Sequence, residues 1–137
     1  MMVCVGNICR SPIAEALLKH EQPQLNVYSS GIGALVGKGA DPQSIKLMAD
    51  KGIDITQHRA QQINSVLVSA ADLILVMERK QMSAIHAKFP EARGKVHLLG
   101  KWNENQEVPD PFQKDEQAFH RAAQLIEAGI KTWQEKI

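Results

Sequence analysis

The chain has few of the features that mark a secreted, membrane-bound or nucleic-acid-binding protein. Its 137 residues carry a net charge of only +1, so no strongly basic surface for nucleic acid is expected. No segment approaches the roughly 20 apolar residues of a membrane span. The N-terminus also lacks the basic region and apolar run of a secretory signal. We therefore expect a cytoplasmic protein without membrane insertion and without a nucleic-acid partner.

Cysteine is also scarce. Cys4 and Cys9 lie close together in one stretch. A disulfide between them would do little to stabilise the fold, so we expect reduced thiols. The five histidines show no metal-ligand spacing, and no metal is expected. The glycine-rich residues 31–39 match neither the dinucleotide fingerprint nor the nucleotide-binding P-loop. We therefore predict no cofactor and interpret this segment as a mobile loop.

The chain does contain what one globular domain needs, with 44% hydrophobic residues in a single-domain length. Apolar runs alternate with segments of helical periodicity, which indicates a parallel sheet with helices on both faces. The run at residues 73–77 does not alternate, as is typical of a parallel strand buried on both faces. We predict a single α/β domain over residues 1–137, a four-stranded parallel sheet in a flavodoxin-like three-layer sandwich. The predicted strands are residues 1–4, 25–29, 73–77 and 96–99.

Capping residues indicate where the helices begin. Ser11 is a favoured N-cap followed by proline at the first helical position, and Asp41 repeats this pattern for a second helix. Further helices are predicted over residues 78–89 and from about residue 115 onwards. Six apolar residues of the last helix fall at helical spacing and are predicted to lie in the core: Phe119, Ala122, Ala123, Ile126, Ile130 and Trp133.

One short loop combines a nucleophile with an anion-binding geometry. Residues 4–12, CVGNICRSP, connect the first strand to the first helix, where unpaired N–H groups and the helix dipole favour anions. Gly6 and Asn7 tolerate the left-handed conformation that turns N–H groups inward, and Arg10 adds a fork of donors. Cys4 would lie in this positive field, which favours its thiolate. The predicted phosphate ligands are the backbone N–H groups of Val5, Gly6, Asn7, Ile8, Cys9 and Arg10.

The residues of this loop resemble those of a known family. The pattern Cys4-x5-Arg10-Ser11 resembles the signature loop of protein tyrosine phosphatases, and with the residues between them it resembles the low-molecular-weight family. Two residue types at a fixed spacing recur by chance, whereas the loop, its flanking structure and a distant Asp-Pro together are specific. The resemblance covers nearly the whole chain and extends to Ser29-Ser30-Gly31, Asp41-Pro42, residues 72–77 and Asp110-Pro111-Phe112.

The resemblance implies a protein-tyrosine-phosphatase, a hydrolase of phosphoric monoesters. The thiolate of Cys4 would attack phosphorus to give a phosphocysteine that water later hydrolyses. Arg10 and the loop N–H groups would hold the phosphoryl oxygens. Asp110 would act as general acid and then as general base. The residues alone leave two alternatives open, an inert buried cysteine at position 4 and a turn-forming aspartate at position 110.

Supporting roles around the loop also follow from the resemblance. Ser11 would donate a hydrogen bond to the sulfur of Cys4, Asn7 would brace the loop, and His58 would brace Asn7. Cys9 would form a reversible disulfide with the nucleophile under oxidant, which would protect it from irreversible oxidation. A small apolar filler is the alternative reading of Cys9.

The resemblance further implies the walls of the substrate site. Leu35 and Val36 would form an apolar wall over the anion site, and Phe112 would form part of an aromatic wall. Phe112-Gln113 stands where the family commonly has tyrosines. Regulation by phosphorylation of a tyrosine pair is therefore not expected here.

A bacterial subgroup associated with capsule and exopolysaccharide systems gives the nearest resemblance, through residues 32–41 and 92–109. In that subgroup the substrate is the tyrosine-rich tail of a membrane tyrosine autokinase, which is the partner implied here. Two other functions remain open. An arsenate reductase on the same fold would need more cysteines than this chain has, and a non-catalytic phosphate-binding adaptor would be expected to lack Cys4 or Asp110.

Overall fold

A four-stranded parallel sheet forms the centre of the computed structural model, which describes residues 1–137. The strands are β1 (Met2–Cys4), β2 (Ser29–Gly31), β3 (Ile74–Val76) and β4 (Val96–Leu98), arranged in the order β2-β1-β3-β4. The helices are α1 (Arg10–Glu21), α2 (Pro42–Ala49), α3 (Ser65–Ala70), α4 (Arg79–Lys88) and α5 (Glu116–Gln134), with a 3₁₀ turn at Pro90–Ala92. None of the helices combines the length and apolar character that a membrane crossing requires.

Successive residues of each strand point to opposite sides of the sheet. Both faces are covered, and an apolar core lies on each of them. Met2 and Cys4 belong to the larger apolar core, to which α1, α2 and α5 contribute. Val3 and Val76 belong to a second core with residues of α3 and α4. This arrangement confirms the predicted three-layer α/β fold with helices on both faces.

The strand order places a crevice at the start of the loop of residues 4–10. From β1 the chain passes first to β2 on one side of it. The chain then returns to β3 and β4 on the other side of β1, which is the flavodoxin-like order. Ligands of such sheets bind beyond the carboxyl ends of the strands where the order reverses. Cys4 is the last residue of β1 and therefore lies at this point.

The largest differences from the predicted strands and helices are at β2 and α3. The second strand was predicted at residues 25–29, but β2 begins at Ser29, because β1 pairs from Met2 onwards and offers no partner to residues 25–27. Helix α3 was not predicted. Its six residues are too few to show a periodic pattern, although Asn64 caps it by accepting a hydrogen bond from the N–H of Leu67 at 2.9 Å.

The predicted cap is correct for α2 but not for α1, and α5, which was predicted to start near residue 115, is capped at Asp115. Asp41 accepts a hydrogen bond from the N–H of Gln43, and Asp115 accepts one from Ala118. Helix α1 begins at Arg10, two residues before Pro12, the predicted first helical position. Ser11 is not an N-cap, because its hydroxyl is engaged with the side chains of the loop. The six apolar residues predicted to be core in α5 are all buried.

Candidate active site

The loop between β1 and α1 curls around the end of Cys4. Asn7 has a φ of 59°, the left-handed conformation expected for a residue that turns the N–H groups of the loop inward. The sulfur of Cys4 lies 3.0 Å from the hydroxyl oxygen of Ser11, and both residues are buried. The sequence therefore folds a thiol and a hydroxyl together at the N-terminal end of α1.

Asn7 fixes the direction of the hydrogen bonds around the thiol. Its side-chain oxygen accepts a hydrogen bond from the N–H of Gln61 at 2.9 Å, so the amide NH₂ faces the hydroxyls of Ser11 at 2.7 Å and Ser29 at 3.0 Å. Nε2 of His58 donates to the carbonyl oxygen of Asn7 at 2.6 Å. Because Ser11 accepts from Asn7, its own hydrogen is available to the Cys4 sulfur.

Arg10 is buried, and its guanidinium is bound along one edge only. Nη1 donates to Oε1 of Glu78 at 2.6 Å and to the carbonyl oxygen of Val108 at 2.8 Å. Nη2 lies 3.8 Å from Oδ2 of Asp110. Nε is buried and has no hydrogen-bond partner in the protein. A buried donor without an acceptor is rare in folded proteins and needs an explanation, such as a ligand that occupies the site.

A cavity of about 150 Å³ joins these groups. Main-chain hydrogen bonds anchor the loop of residues 31–39 beside it, from the N–H of Leu35 to the oxygen of Gly6 and from Gly37 to Ala60. The loop is therefore more restrained than the mobile segment expected. The residues that line the cavity are Cys4, Val5, Gly6, Ile8, Cys9, Arg10, Gly33, Leu35, Asp110 and Phe112.

Asp110 lies at the mouth of the cavity with a side chain that is 48% exposed. Its Oδ1 accepts a hydrogen bond from the N–H of Phe112 at 3.1 Å, which fixes the turn that carries it. Val108, two residues before Asp110, accepts a hydrogen bond from Arg10 through its carbonyl oxygen. A carboxyl group, a guanidinium and a thiol thus converge on one cavity, while no group of His, Cys, Asp and Glu is arranged to hold a metal ion.

The comparison with protein families agrees with this geometry over the full length of the chain. The family model described as "Low molecular weight phosphotyrosine protein phosphatase" matches residues 1–137. This chain belongs to that family. The resemblance stated from the loop and the distant Asp-Pro is therefore confirmed, and the chain is a low-molecular-weight protein-tyrosine-phosphatase.

Relatives of this phosphatase are similar over nearly their whole length. The probable low molecular weight protein-tyrosine-phosphatase EpsP of Ralstonia nicotianae is 47% identical over 137 residues, covering 100% of this chain and 94% of EpsP. Wzb of Salmonella typhimurium is 45% identical over 133 residues, covering 97% of this chain and 89% of Wzb. The solved structure of Vibrio vulnificus Wzb in complex with benzylphosphonate has a TM-score of 0.96 and 43% identity, covering 99% of this chain and 96% of that one.

The fold of the phosphatase brings most of the predicted site residues together. Cys4, Arg10 and Asp110 share the cavity with Leu35 and Phe112. The supporting residues Asn7, Ser11 and His58 lie in the hydrogen-bond network directly behind it. Val36 is the exception, because it is 68% exposed and does not line the cavity.

Cys9 lines the same cavity, and both cysteines are free thiols. Its sulfur lies 3.9 Å from Oδ2 of Asp41. Burial and then the Asp41 carboxylate raise the pKa of Cys9, so its protonated thiol is the stable form at neutral pH. Cys9 is therefore a weak nucleophile on its own.

Several residues of the phosphatase site were missed by the sequence analysis. Glu78 binds Arg10, Val108 binds Arg10 through its carbonyl oxygen, and Ser29 accepts from Asn7 while donating to Glu15 at 2.6 Å. Ser29 was part of the resemblance but received no role. Glu78 is the first residue of the helix predicted over residues 78–89, but nothing nearby in the sequence connects it to position 10.

Proposed function

We propose that this phosphatase hydrolyses phosphotyrosine through a phosphocysteine intermediate formed on Cys4. The observation that carries the proposal is the buried Nε of Arg10, which has no protein acceptor although Arg10 lines the same cavity as Cys4. A phosphoryl group in this cavity would accept from that edge of Arg10 and from the loop N–H groups at positions 5–10. The hydroxyl of Ser11, 3.0 Å from the sulfur, would stabilise the thiolate before attack.

The first step forms a bond between the Cys4 sulfur and phosphorus and breaks the bond between phosphorus and the ester oxygen. Asp110 at the cavity mouth gives its proton to the departing phenolate, which leaves as a phenol. In the second step Asp110 removes a proton from water, and the water oxygen displaces the Cys4 thiolate to release inorganic phosphate. Negative charge on the equatorial phosphoryl oxygens is held by Arg10 and the loop amides throughout.

The walls of the cavity support an aromatic ester. The side chains of Leu35 and Phe112 are 42% and 40% exposed and line the cavity that ends at Cys4. Apolar side chains on a solvent-facing rim favour contact with a planar ring. The related Wzb of Vibrio vulnificus is known in complex with benzylphosphonate, which also carries an aromatic ring near a phosphoryl group.

We propose further that the substrate is the tyrosine-rich tail of a bacterial membrane tyrosine autokinase in exopolysaccharide or capsule production, and that dephosphorylation takes place in the cytoplasm. Similarity to EpsP and Wzb over nearly the whole chain supports this assignment. Of the two other candidates, arsenate reduction would need a thiol relay, and only Cys4 and Cys9 are present. A non-catalytic adaptor does not require the acid, yet Asp110 lies at the cavity mouth.

Hydrolysis of a phosphotyrosine peptide and a phosphoserine peptide of otherwise identical sequence tests this function. We expect kcat/KM to be at least about a hundredfold higher for phosphotyrosine, because its ring, unlike the serine side chain, can contact the apolar side chains of Leu35 and Phe112 in the cavity. Release of inorganic phosphate is the measurement. Phosphate binding without turnover of either peptide would favour the adaptor, and equal turnover of both would contradict selectivity for tyrosine.

Oxidation tests the proposed redox role of Cys9. Peroxide would convert the Cys4 thiolate to a sulfenic acid, and the Cys9 thiol would then displace water from that sulfur to form a disulfide. We expect brief peroxide treatment to inactivate the wild type reversibly, with activity restored by dithiothreitol, whereas Cys9→Ser loses most of this recovery. Because burial raises the pKa of Cys9, ring closure should accelerate with rising pH. Equal recovery in both proteins would instead support Cys9 as a small apolar filler.

A further inference from the structure

Two exposed cations, Lys38 and Arg59, lie on segments that border the phosphate loop. Neither side chain forms a salt bridge. Asp54 is the acidic residue nearest to Arg59 in the sequence, and its Oδ1 accepts from the N–H and the hydroxyl of Thr56 instead, at 2.8 and 2.7 Å. The positive charge of both residues is therefore left for a ligand or for water.

The guanidinium of Arg59 is held along one side. Its Nη1 donates to the carbonyl oxygens of Thr56 at 3.2 Å and His58 at 2.7 Å, and these are its only hydrogen bonds in the protein. Because the group is planar, this contact leaves the edge formed by Nε and Nη2 without a partner. Such an edge matches two oxygens of a phosphate group.

A tight turn connects Lys38 to the wall of the catalytic cavity. The N–H of Lys38 donates to the carbonyl oxygen of Leu35 at 3.0 Å, which places Val36 and Gly37 at the tip. Gly37 has a φ of 83°, the conformation that a type II turn requires at this position. The N–H of Leu35 in turn donates to Gly6 of the phosphate loop. The turn therefore carries a cavity residue at its start and a lysine at its end.

Main-chain hydrogen bonds join this turn to the segment of Arg59. The N–H of Gly37 donates to the carbonyl oxygen of Ala60 at 2.9 Å, and the N–H of Ala60 donates to that of Lys38 at 2.8 Å. A Cβ atom at Gly39 would lie 3.5 Å from Nη1 of Arg59. The guanidinium thus packs over the residue that follows Lys38, and the two cations belong to one surface.

We propose that Arg59 and Lys38 form a second phosphate subsite, which binds another phosphotyrosine of the same substrate segment while the first is hydrolysed at Cys4. A phosphate dianion suits the free edge of Arg59 together with the point charge of Lys38. Val36, which is 68% exposed and does not line the catalytic cavity, would contact the ring of that second residue. The inference rests on the proposed function and deepens it by naming the substrate class, segments phosphorylated on more than one tyrosine.

A series of peptides with one hydrolysable phosphotyrosine tests the subsite. A second position, one to four residues away on either side, carries tyrosine, glutamate or phosphonomethylphenylalanine, a phosphotyrosine analogue that cannot be hydrolysed. The measurement is the gain, defined as kcat/KM relative to the peptide with tyrosine at the second position. Unproductive binding of the phosphonate at Cys4 lowers kcat and KM together, so it leaves kcat/KM unchanged.

We expect the phosphonate to give the wild type a gain of about fivefold to thirtyfold at the best spacing, since charge-assisted hydrogen bonds are strong but exposed pairs contribute less than buried ones. Glutamate should give a gain below about threefold, because a single carboxylate carries less charge than a phosphonate. Arg59→Gln and Lys38→Gln should each reduce the phosphonate gain, and the double variant should abolish it.

The gain is a ratio measured within one protein, so it separates the subsite from the chemistry. Arg59 binds the carbonyl oxygen of His58, and any effect of its replacement on the phosphate loop changes both peptides alike. Lys38→Gln removes a side chain that has no hydrogen bond in the protein. Arg93→Gln is the matched control, because Arg93 is exposed, forms no salt bridge and precedes β4, at the end of the sheet opposite Cys4. We expect it to keep the full gain.

Three results would overturn the inference. The first is a phosphonate gain below about twofold at every spacing in the wild type, within the range of an exposed pair that contributes nothing. The second is a gain that survives in the double variant. The third is an equal gain with glutamate, which would assign the effect to negative charge in general. A wild type that does not hydrolyse the peptide with a single phosphotyrosine would overturn the proposed function as well, so the two failures are distinguishable.

Discussion

Replacement of Cys4 by serine is expected to abolish turnover of a phosphotyrosine peptide, with a loss in kcat of about 10⁴-fold or more. The serine hydroxyl is a much weaker nucleophile than a thiolate, and no histidine contacts position 4 to act as its base. The nearest side-chain partner of the Cys4 sulfur is the hydroxyl of Ser11, at 3.0 Å, which donates a hydrogen and cannot remove one efficiently. The substitution therefore removes the nucleophile and leaves the loop able to fold.

Phosphate binding separates the loss of chemistry from the loss of structure in this variant. Serine carries no negative charge, whereas the thiolate repels a phosphate dianion, so Cys4→Ser should bind inorganic phosphate at least as tightly as the wild type. Loss of turnover in Cys4→Ser, combined with phosphate binding as tight as in the wild type, would show that the site is intact without the sulfur. Retention of more than about one-hundredth of the wild-type kcat would contradict the phosphocysteine mechanism.

The sequence alone predicted those parts of the site that depend on neighbours in the chain. The anion loop is local, because Cys4, Asn7 and Arg10 lie within seven residues and their roles follow from a strand end, a left-handed turn and a helix start. The cap at Asp41 and the start of α5 near residue 115 are local for the same reason. A family resemblance then supplied Asp110, which the residues around it leave ambiguous between an acid and a turn former.

The parts that sequence reasoning missed depend on contacts between distant segments. Glu78 is 68 residues from Arg10, and Val108 is 98 residues from it. No periodicity or capping rule relates such positions, and they meet only because β3 lies beside β1 in the sheet. At Ser11 a local rule gave a wrong prediction. The rule favours an N-cap at this residue, but its hydroxyl is hydrogen-bonded to the Cys4 sulfur and the Asn7 amide instead.

Replacement of Asp110 by asparagine is expected to lower kcat on a phosphotyrosine peptide by about 10²-fold to 10⁴-fold, the usual contribution of a positioned general acid. The tyrosine phenolate is a poor leaving group, because its conjugate acid has a pKa of about 10, and asparagine cannot protonate it. The carboxylate is half exposed and its contact with Arg10 is long, at 3.8 Å, so the fold should tolerate the change. Phosphate binding should change little.

The dependence on the leaving group decides whether Asp110 supplies a proton or only shapes the turn. An aryl phosphate whose phenol is acidic, such as p-nitrophenyl phosphate, needs little proton donation, so its kcat should fall much less in Asp110→Asn than that of the peptide. Asp115→Asn is the matched control: it makes the same substitution nearby, and asparagine caps α5 as well as aspartate does. Equal losses for both substrates would instead assign Asp110 a structural role through its hydrogen bond with the N–H of Phe112.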